Sequence, residues 1–202
     1  MTCLIALGDS MTAGRYLDSP STEAWPSLLT GVTVTNRGVG GSFLHGSAPL
    51  VRDTLTGMGA ADVAVVWAGH NDVITHSPEW PYPADPRSIE HSRWAAIELD
   101  QALAAAAVPL VLWVTLAPRT HGTLTEATPT WPDIIQARIR SWNAWLCQQW
   151  PGRVIDIRGR LGDVAGGLGS PALYIGDGLH INALGHAIVA GRVNAALRAR
   201  GL

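Results

Sequence analysis

An α/β fold with a parallel sheet covered on both faces is predicted by two features of this 202-residue chain. Five short apolar runs, residues 3–7, 32–35, 62–67, 109–116 and 153–157, alternate with longer segments whose apolar positions recur three to four apart. The runs read as buried strands, and strand–helix alternation along the whole chain implies a parallel sheet covered on both faces.

The first run ends in Gly8-Asp9-Ser10-Met11-Thr12-Ala13-Gly14. Glycine at position 8 permits a sharp turn at the strand tip, and a helix opening there leaves its first amides unpaired and aimed back at Ser10. Such a turn sets a hydroxyl beside donors suited to a developing negative charge. Short helices are expected at 23–29 and within 50–57, and long ones at 88–107, 132–150 and 182–200. The second strand runs into Asn36-Arg37-Gly38-Val39-Gly40-Gly41 and the third into Gly69-His70-Asn71-Asp72. Ligands of such sheets bind beyond the carboxyl ends of the strands, so these clusters and Ser10 are expected at one edge. Proline-rich connections at 74–87 and 117–130 leave the same edge and are the expected substrate walls.

Composition excludes several functions. A net charge of −2 with 15% charged residues offers no basic footprint for nucleic acid and no polybasic stretch for a membrane, which leaves a small, nearly neutral ligand. All fourteen basic residues are arginine, so a lysine-dependent phosphate loop or Schiff base is impossible. Cys3 and Cys147 lack the spacing of a zinc site or redox pair and are expected to be buried thiols. No repeat or linker divides the sequence, so one domain over 1–202 is expected, and nothing in it specifies an oligomeric state. The turn at residue 8 leaves little room for a leader, and no run approaches 18 apolar residues, so a soluble, cytoplasmic protein is expected.

A serine hydroxyl needs a base, and a histidine base needs a partner that fixes its tautomer. Of seven histidines, His180 is best placed, in Asp177-Gly178-Leu179-His180 just before the C-terminal helical pattern. Asp177, three residues earlier, can reach Nδ1 while Nε2 faces the serine. Taken alone, Asp177 reads more readily as a turn or cap residue and His180 as a surface-loop histidine, and it is their partners that reverse this. His186 is the second choice of base, in a position suggesting packing. The other histidines show no metal-ligand spacing, so no metal is expected. Donors for an oxyanion are available in the 36–41 glycine turn and in Asn71.

These residues resemble the SGNH hydrolases, or GDSL-type esterases and lipases, in four ordered blocks: GDS at 8–10, NRGVGG at 36–41, GHND at 69–72 and DGLH at 177–180. The resemblance implies a three-layer α/β/α sandwich with a five-stranded parallel sheet, flavodoxin-like in plan. It implies Ser10 as nucleophile, His180 as base and Asp177 as its orienter, with an oxyanion hole from the Ser10 amide, a glycine amide and the Asn71 side chain. The family's N-x-G-x-x-G spacing ends on Gly41, which is preferred to Gly40. The implied reaction is hydrolysis of a small-molecule ester through an acyl-enzyme, with no cofactor. His70 stands where the family often has a smaller residue or threonine, and either contacts substrate or packs behind the site.

Nine tryptophans against one phenylalanine is unusual. Trp67, Trp94, Trp113, Trp142, Trp145 and Trp150 fall in predicted strands and helices and are expected to pack. Trp80 and Trp131 are placed in the long loops as apolar walls for a sugar or acyl chain. Short-acyl or acetyl esters are the first expectation. Thioester or lysophospholipid hydrolysis and acyl transfer would use the same site. A reading from another class takes residues 10–14 as the phosphate loop of a flavodoxin-like flavin-binding module.

Overall fold

The computed structural model describes residues 1–46, 49–75, 88–122, 131–162 and 167–202. Its five strands are β1 (Thr2–Gly8), β2 (Val32–Gly38), β3 (Val63–Trp67), β4 (Leu110–Val114) and β5 (Val154–Ile155). They pair in parallel in the order β2-β1-β3-β4-β5. The chain moves outward from β1 in one direction to β2 and in the other to β3, which makes the carboxyl ends of β1 and β3 the point where a doubly wound sheet opens a crevice.

Side chains alternate across the sheet, so the central strands β1, β3 and β4 feed two cores. The edge strand β2, expected to be buried, instead has Val32 and Val34 half-buried against one core and Thr33 and Thr35 exposed. Ile5 and Leu7 pair in register with Ala64 and Val66 on one face. There they meet α3 (His70–Thr75), α4 (Ser88–Ala105) and α5 (Trp131–Gln149). Leu4, Ala6, Val63, Val65 and Trp67 point to the other face, covered by α1 (Ser10–Ala13), α6 (Arg158–Leu161) and α7 (Ala183–Arg198). Ile135, Ile139, Trp142 and Leu146 form the buried stripe of α5. Just beyond it Trp150 stacks on Trp113 of β4, with ring centroids 4.5 Å apart, a pairing worth about 1 kcal/mol beyond its buried area. Asn182 caps α7 by accepting the Gly185 N–H at 3.1 Å.

The long helices and the strands lie where the periodicity puts them, but the short elements differ. The helix expected at 23–29 is a short α2 (Pro20–Glu23) followed by a 3-10 turn at Trp25–Leu28, because Pro26 has no N–H with which to continue an α-helix. Residues 51–55 also form a 3-10 turn. β5 keeps only two residues of the run expected at 153–157.

Two burial expectations are corrected. Cys3 and Cys147 are both exposed. Cys3 lies near the start of β1, before its buried stretch, and Cys147 sits one residue beyond Leu146, off the apolar stripe of α5. Trp94 is 65% exposed, because α4 buries the Ser92, Ala96, Leu99 and Leu103 face instead. No helix among the described residues is long and apolar enough to cross a membrane.

Candidate active site

Ser10 is the first residue of α1, and Asp9 caps that helix by accepting the Met11 N–H at 3.0 Å. Gly8, with φ 157°, brings the strand end so close to β3 that a Cβ there would collide with the Trp67 carbonyl oxygen. The cap and the close approach fix the height and direction of the serine.

A chain of bonds leads from Ser10 to the C-terminal loop. Ser10 Oγ lies 2.9 Å from His180 Nε2, and His180 Nδ1 lies 2.6 Å from Asp177 Oδ2. An ionised carboxylate only accepts, so Nδ1 carries the proton and Nε2 is left to accept from the hydroxyl. Asp177 Oδ1 also accepts the Leu179 and His180 N–H groups, at 2.8 and 2.9 Å. Burial works to raise the Asp177 carboxyl, but the bonds from the His180 ring, its amide and the Leu179 amide outweigh it and hold the group below the usual carboxylate range.

Arg119, 1% exposed, buttresses that loop. Its Nη1 donates to the Leu179 carbonyl at 3.1 Å, and its own amide is fixed by Gln136 Oε1 at 2.9 Å. Desolvation lowers the guanidinium to about 10, while Tyr174, Asp9 and Asp177 favour its charge.

The glycine turn closes the other side. Val39 and Ser42 are joined by a 3.1 Å backbone bond, and Gly41 between them takes φ 79°, which suits glycine. Val39 N–H and Ser42 Oγ–H both donate to the Gly8 carbonyl, at 3.0 and 3.1 Å, tying this turn to the strand that carries Ser10. Asn71 Nδ2 donates to the Ser42 carbonyl at 2.8 Å. The amides of Ser10, Gly40 and Gly41 have no acceptor among the described residues. Ser10, Asn71 and both glycines therefore meet at one edge, and the turn geometry leaves both glycine amides available.

Beneath this surface lies a second histidine–aspartate pair. Ala117 N–H donates to His70 Nε2 at 3.2 Å, so Nδ1 carries the proton, which it gives to Asp9 Oδ2 at 3.1 Å. The ring is 2% exposed and both nitrogens are engaged, which favours the packing role for His70 over contact with substrate. Burial lowers its basicity; Asp9 opposes that shift, and the charges of Arg119 and His180 add to it. Asp72 accepts from Leu44 N, His45 N and Ser92 Oγ, at 3.0, 3.0 and 2.8 Å, and burial raises it to about 6. His186, the alternative base, accepts the Trp25 N–H at Nδ1, and burial lowers it to about 4.

Trp80 lies outside the described residues. Trp131 opens α5 rather than sitting in a loop, and its side chain lies outside them too. Among the described residues no group of three His, Cys, Asp or Glu is placed to hold a metal. The roles of Asp9, Ser42 and Arg119 had no sequence signal beyond the position of Asp9 before the serine, where an N-cap is expected.

A five-stranded doubly wound sheet with a serine, a histidine and an aspartate joined at its carboxyl edge defines the class: α/β proteins of the GDSL type. The model of the GDSL-like lipase/acylhydrolase family matches residues 6–188, and the chain belongs to that family. None of the curated proteins searched matches the sequence. Among solved structures, a carbohydrate acetylesterase from Sinorhizobium meliloti, Est24, superposes with a TM-score of 0.72 at 15% identity, over 98% of this chain and 99% of that one. A second carbohydrate acetylesterase family member from that organism gives 0.69 at 18%, over all of both chains. The lipase/acylhydrolase from Enterococcus faecalis gives 0.66 at 20%, over 99% of this chain and 97% of that one. At these identities the likeness is one of fold.

Proposed function

We propose that the protein is a serine esterase that hydrolyses carboxylic esters through an acyl-enzyme, with Ser10 as nucleophile, His180 as base and Asp177 as its orienter. The observation that carries this is the continuous bond chain of 2.9 Å from Ser10 Oγ to His180 Nε2 and 2.6 Å from His180 Nδ1 to Asp177 Oδ2. Ser10 Oγ attacks the ester carbonyl while its proton passes to Nε2. The oxyanion collects the amides of Ser10 and Gly41 and the side chain of Asn71. Collapse expels the alcohol, which takes the proton from Nε2, and His180 then draws a proton from water as that water attacks the acyl-enzyme. Each oxyanion donor of this kind is worth about 3 kcal/mol, or roughly a hundredfold in rate.

Short acyl groups are the first choice of substrate, supported by the fold shared with proteins described as carbohydrate acetylesterases. The test is a series of p-nitrophenyl esters from acetyl to long acyl. Turnover that falls steadily beyond butyrate supports a short-acyl esterase, and turnover that rises with length sinks that choice in favour of a lipase or thioesterase.

The reading as a flavin module leaves the joined Asp177, His180 and Ser10 side chains without a task. A flavin absorbance in the purified protein would support it.

A further inference from the structure

The rim of the site carries an aromatic ring and a cation that the esterase chemistry above does not use. Tyr16 lies three residues beyond α1 and is one of two non-glycine residues with positive φ among the described residues, at 70°. That conformation costs a tyrosine about 1 kcal/mol, so it is imposed by the surroundings rather than favoured by the residue. The residue is 56% exposed, yet its ring stands edge-on against His180, with centroids 4.8 Å apart. An exposed aromatic side chain held in a strained backbone against a catalytic base has few structural reasons to be there.

Arg15 lies over the same ring, with Cζ 4.9 Å from its centroid. This contact, worth about 0.5–1 kcal/mol at an exposed site, favours placing the guanidinium over the ring. It also meets the glycine turn, since a Cβ built on Gly40 would lie 3.4 Å from Arg15 Cδ and 3.5 Å from Nη1. Arg15 thus spans the rim from Tyr16, beside the base, to the residue preceding Gly41. Among the described residues its side chain has no carboxylate partner and makes no hydrogen bond. A guanidinium held at the rim, with its donors unspent among the described residues, is suited to a carboxylate or phosphate.

We propose that Arg15 and Tyr16 form an anion subsite at the mouth of the active site, so that the ester this protein takes carries a carboxylate or phosphate group close to its scissile bond. Arg15 holds the anionic group, and Tyr16 walls the path over His180 along which the alcohol leaves. The same anion lies near the imidazolium that forms in the reaction and favours it. This rests on the esterase reading above and deepens it by naming the substrate class, an anionic ester in place of the nearly neutral ligand expected from the overall charge.

Matched esters that differ in charge test the proposal on either side of the bond. Mono-p-nitrophenyl succinate against p-nitrophenyl butyrate places the anion on the acyl group, and 4-acetoxybenzoate against 4-acetoxybenzamide places it on the leaving group. The expected result is a kcat/KM about tenfold higher for the anionic member of at least one pair, the scale of a charge-assisted contact. The preference weakens with added salt, persists in Arg15→Lys, is lost in Arg15→Gln and reverses in Arg15→Glu; Arg15 is exposed, so these variants should fold. Equal rates in both pairs, or a preference unchanged in Arg15→Gln, would overturn it. Hydrolysis of the neutral esters reports on the esterase reading separately. Should no ester turn over, weak binding of phenylacetate against phenylacetamide, followed by ring resonances of Tyr16 and His180, still decides: tighter carboxylate binding that depends on Arg15 supports the subsite, and equal binding refutes it.

Discussion

Among the described residues two histidines are hydrogen-bonded through Nδ1 to an aspartate, and they are not equivalent. His180, on Asp177, turns Nε2 to the Ser10 hydroxyl, whereas His70, on Asp9, gives Nε2 to the backbone N–H of Ala117. Both pairs fix the same tautomer. What separates a candidate base from a structural ring is the group that the far nitrogen meets: a hydroxyl whose proton can move, or an amide whose proton cannot. The His70 pair holds Asp9, and Asp9 caps the helix that starts at Ser10, so in the reaction we propose the buried pair sets the position of Ser10 while the other activates it.

The comparison breaks first where the effects are largest. His180→Ala should lower kcat on any ester substrate by at least about a thousandfold, as loss of a triad member does. His70→Gln should leave the folded protein within about tenfold of wild-type kcat, while exposing the cost of unpaired buried groups at Asp9 or Ala117, about 1–3 kcal/mol in chemical denaturation. Equal losses of kcat in two well-folded variants would contradict the distinction. Asp177→Asn comes next: with the wrong tautomer favoured, kcat should fall by about a hundredfold or more with little change in KM, read from initial rates.

Smaller effects concern pH and stability. His186 is lowered from 6.5 to about 4, so it is neutral when folded and takes up a proton on unfolding; its stabilisation is present above pH 6.5 and is lost as the pH falls through 4. His186→Gln keeps an acceptor for Trp25 and should make the acid loss of stability shallower by roughly 3 kcal/mol across that window, with turnover largely retained. Asp72 has the opposite sign. Raised from 3.8 to about 6, it favours the folded state below pH 3.8 and withdraws that support as the pH rises through 6. Asp72→Asn should therefore make the acid loss steeper by a similar amount, measured as denaturation midpoints between pH 7 and 4.

The same contrast shows what was legible in the sequence. Apolar runs and three-to-four spacing marked the sheet and its long helices, because burial on both faces of β1, β3 and β4 leaves little choice of residue there. Ser10, Asp177 and His180 were legible because each stands where a strand or loop ends in glycine-bearing short motifs. Arg119 and the strained backbone of Tyr16 were not, since their surroundings come from elements far apart in the chain. His70 was visible as a residue but not as a role, because the Ala117 amide that occupies its Nε2 carries no side-chain signature. Trp94 and the two cysteines were misjudged for a related reason: hydrophobic type says less about burial than the face of the element on which a residue falls.

The central claim is that Ser10 is the one activated hydroxyl of this site. Treatment with a fluorophosphonate, followed by mass-spectrometric mapping of the modified peptide, tests it most directly. A single adduct on Ser10, absent from Ser10→Ala and slowed about a hundredfold or more in His180→Ala, is the result expected. An adduct on another residue, or labelling that persists in Ser10→Ala, would contradict it.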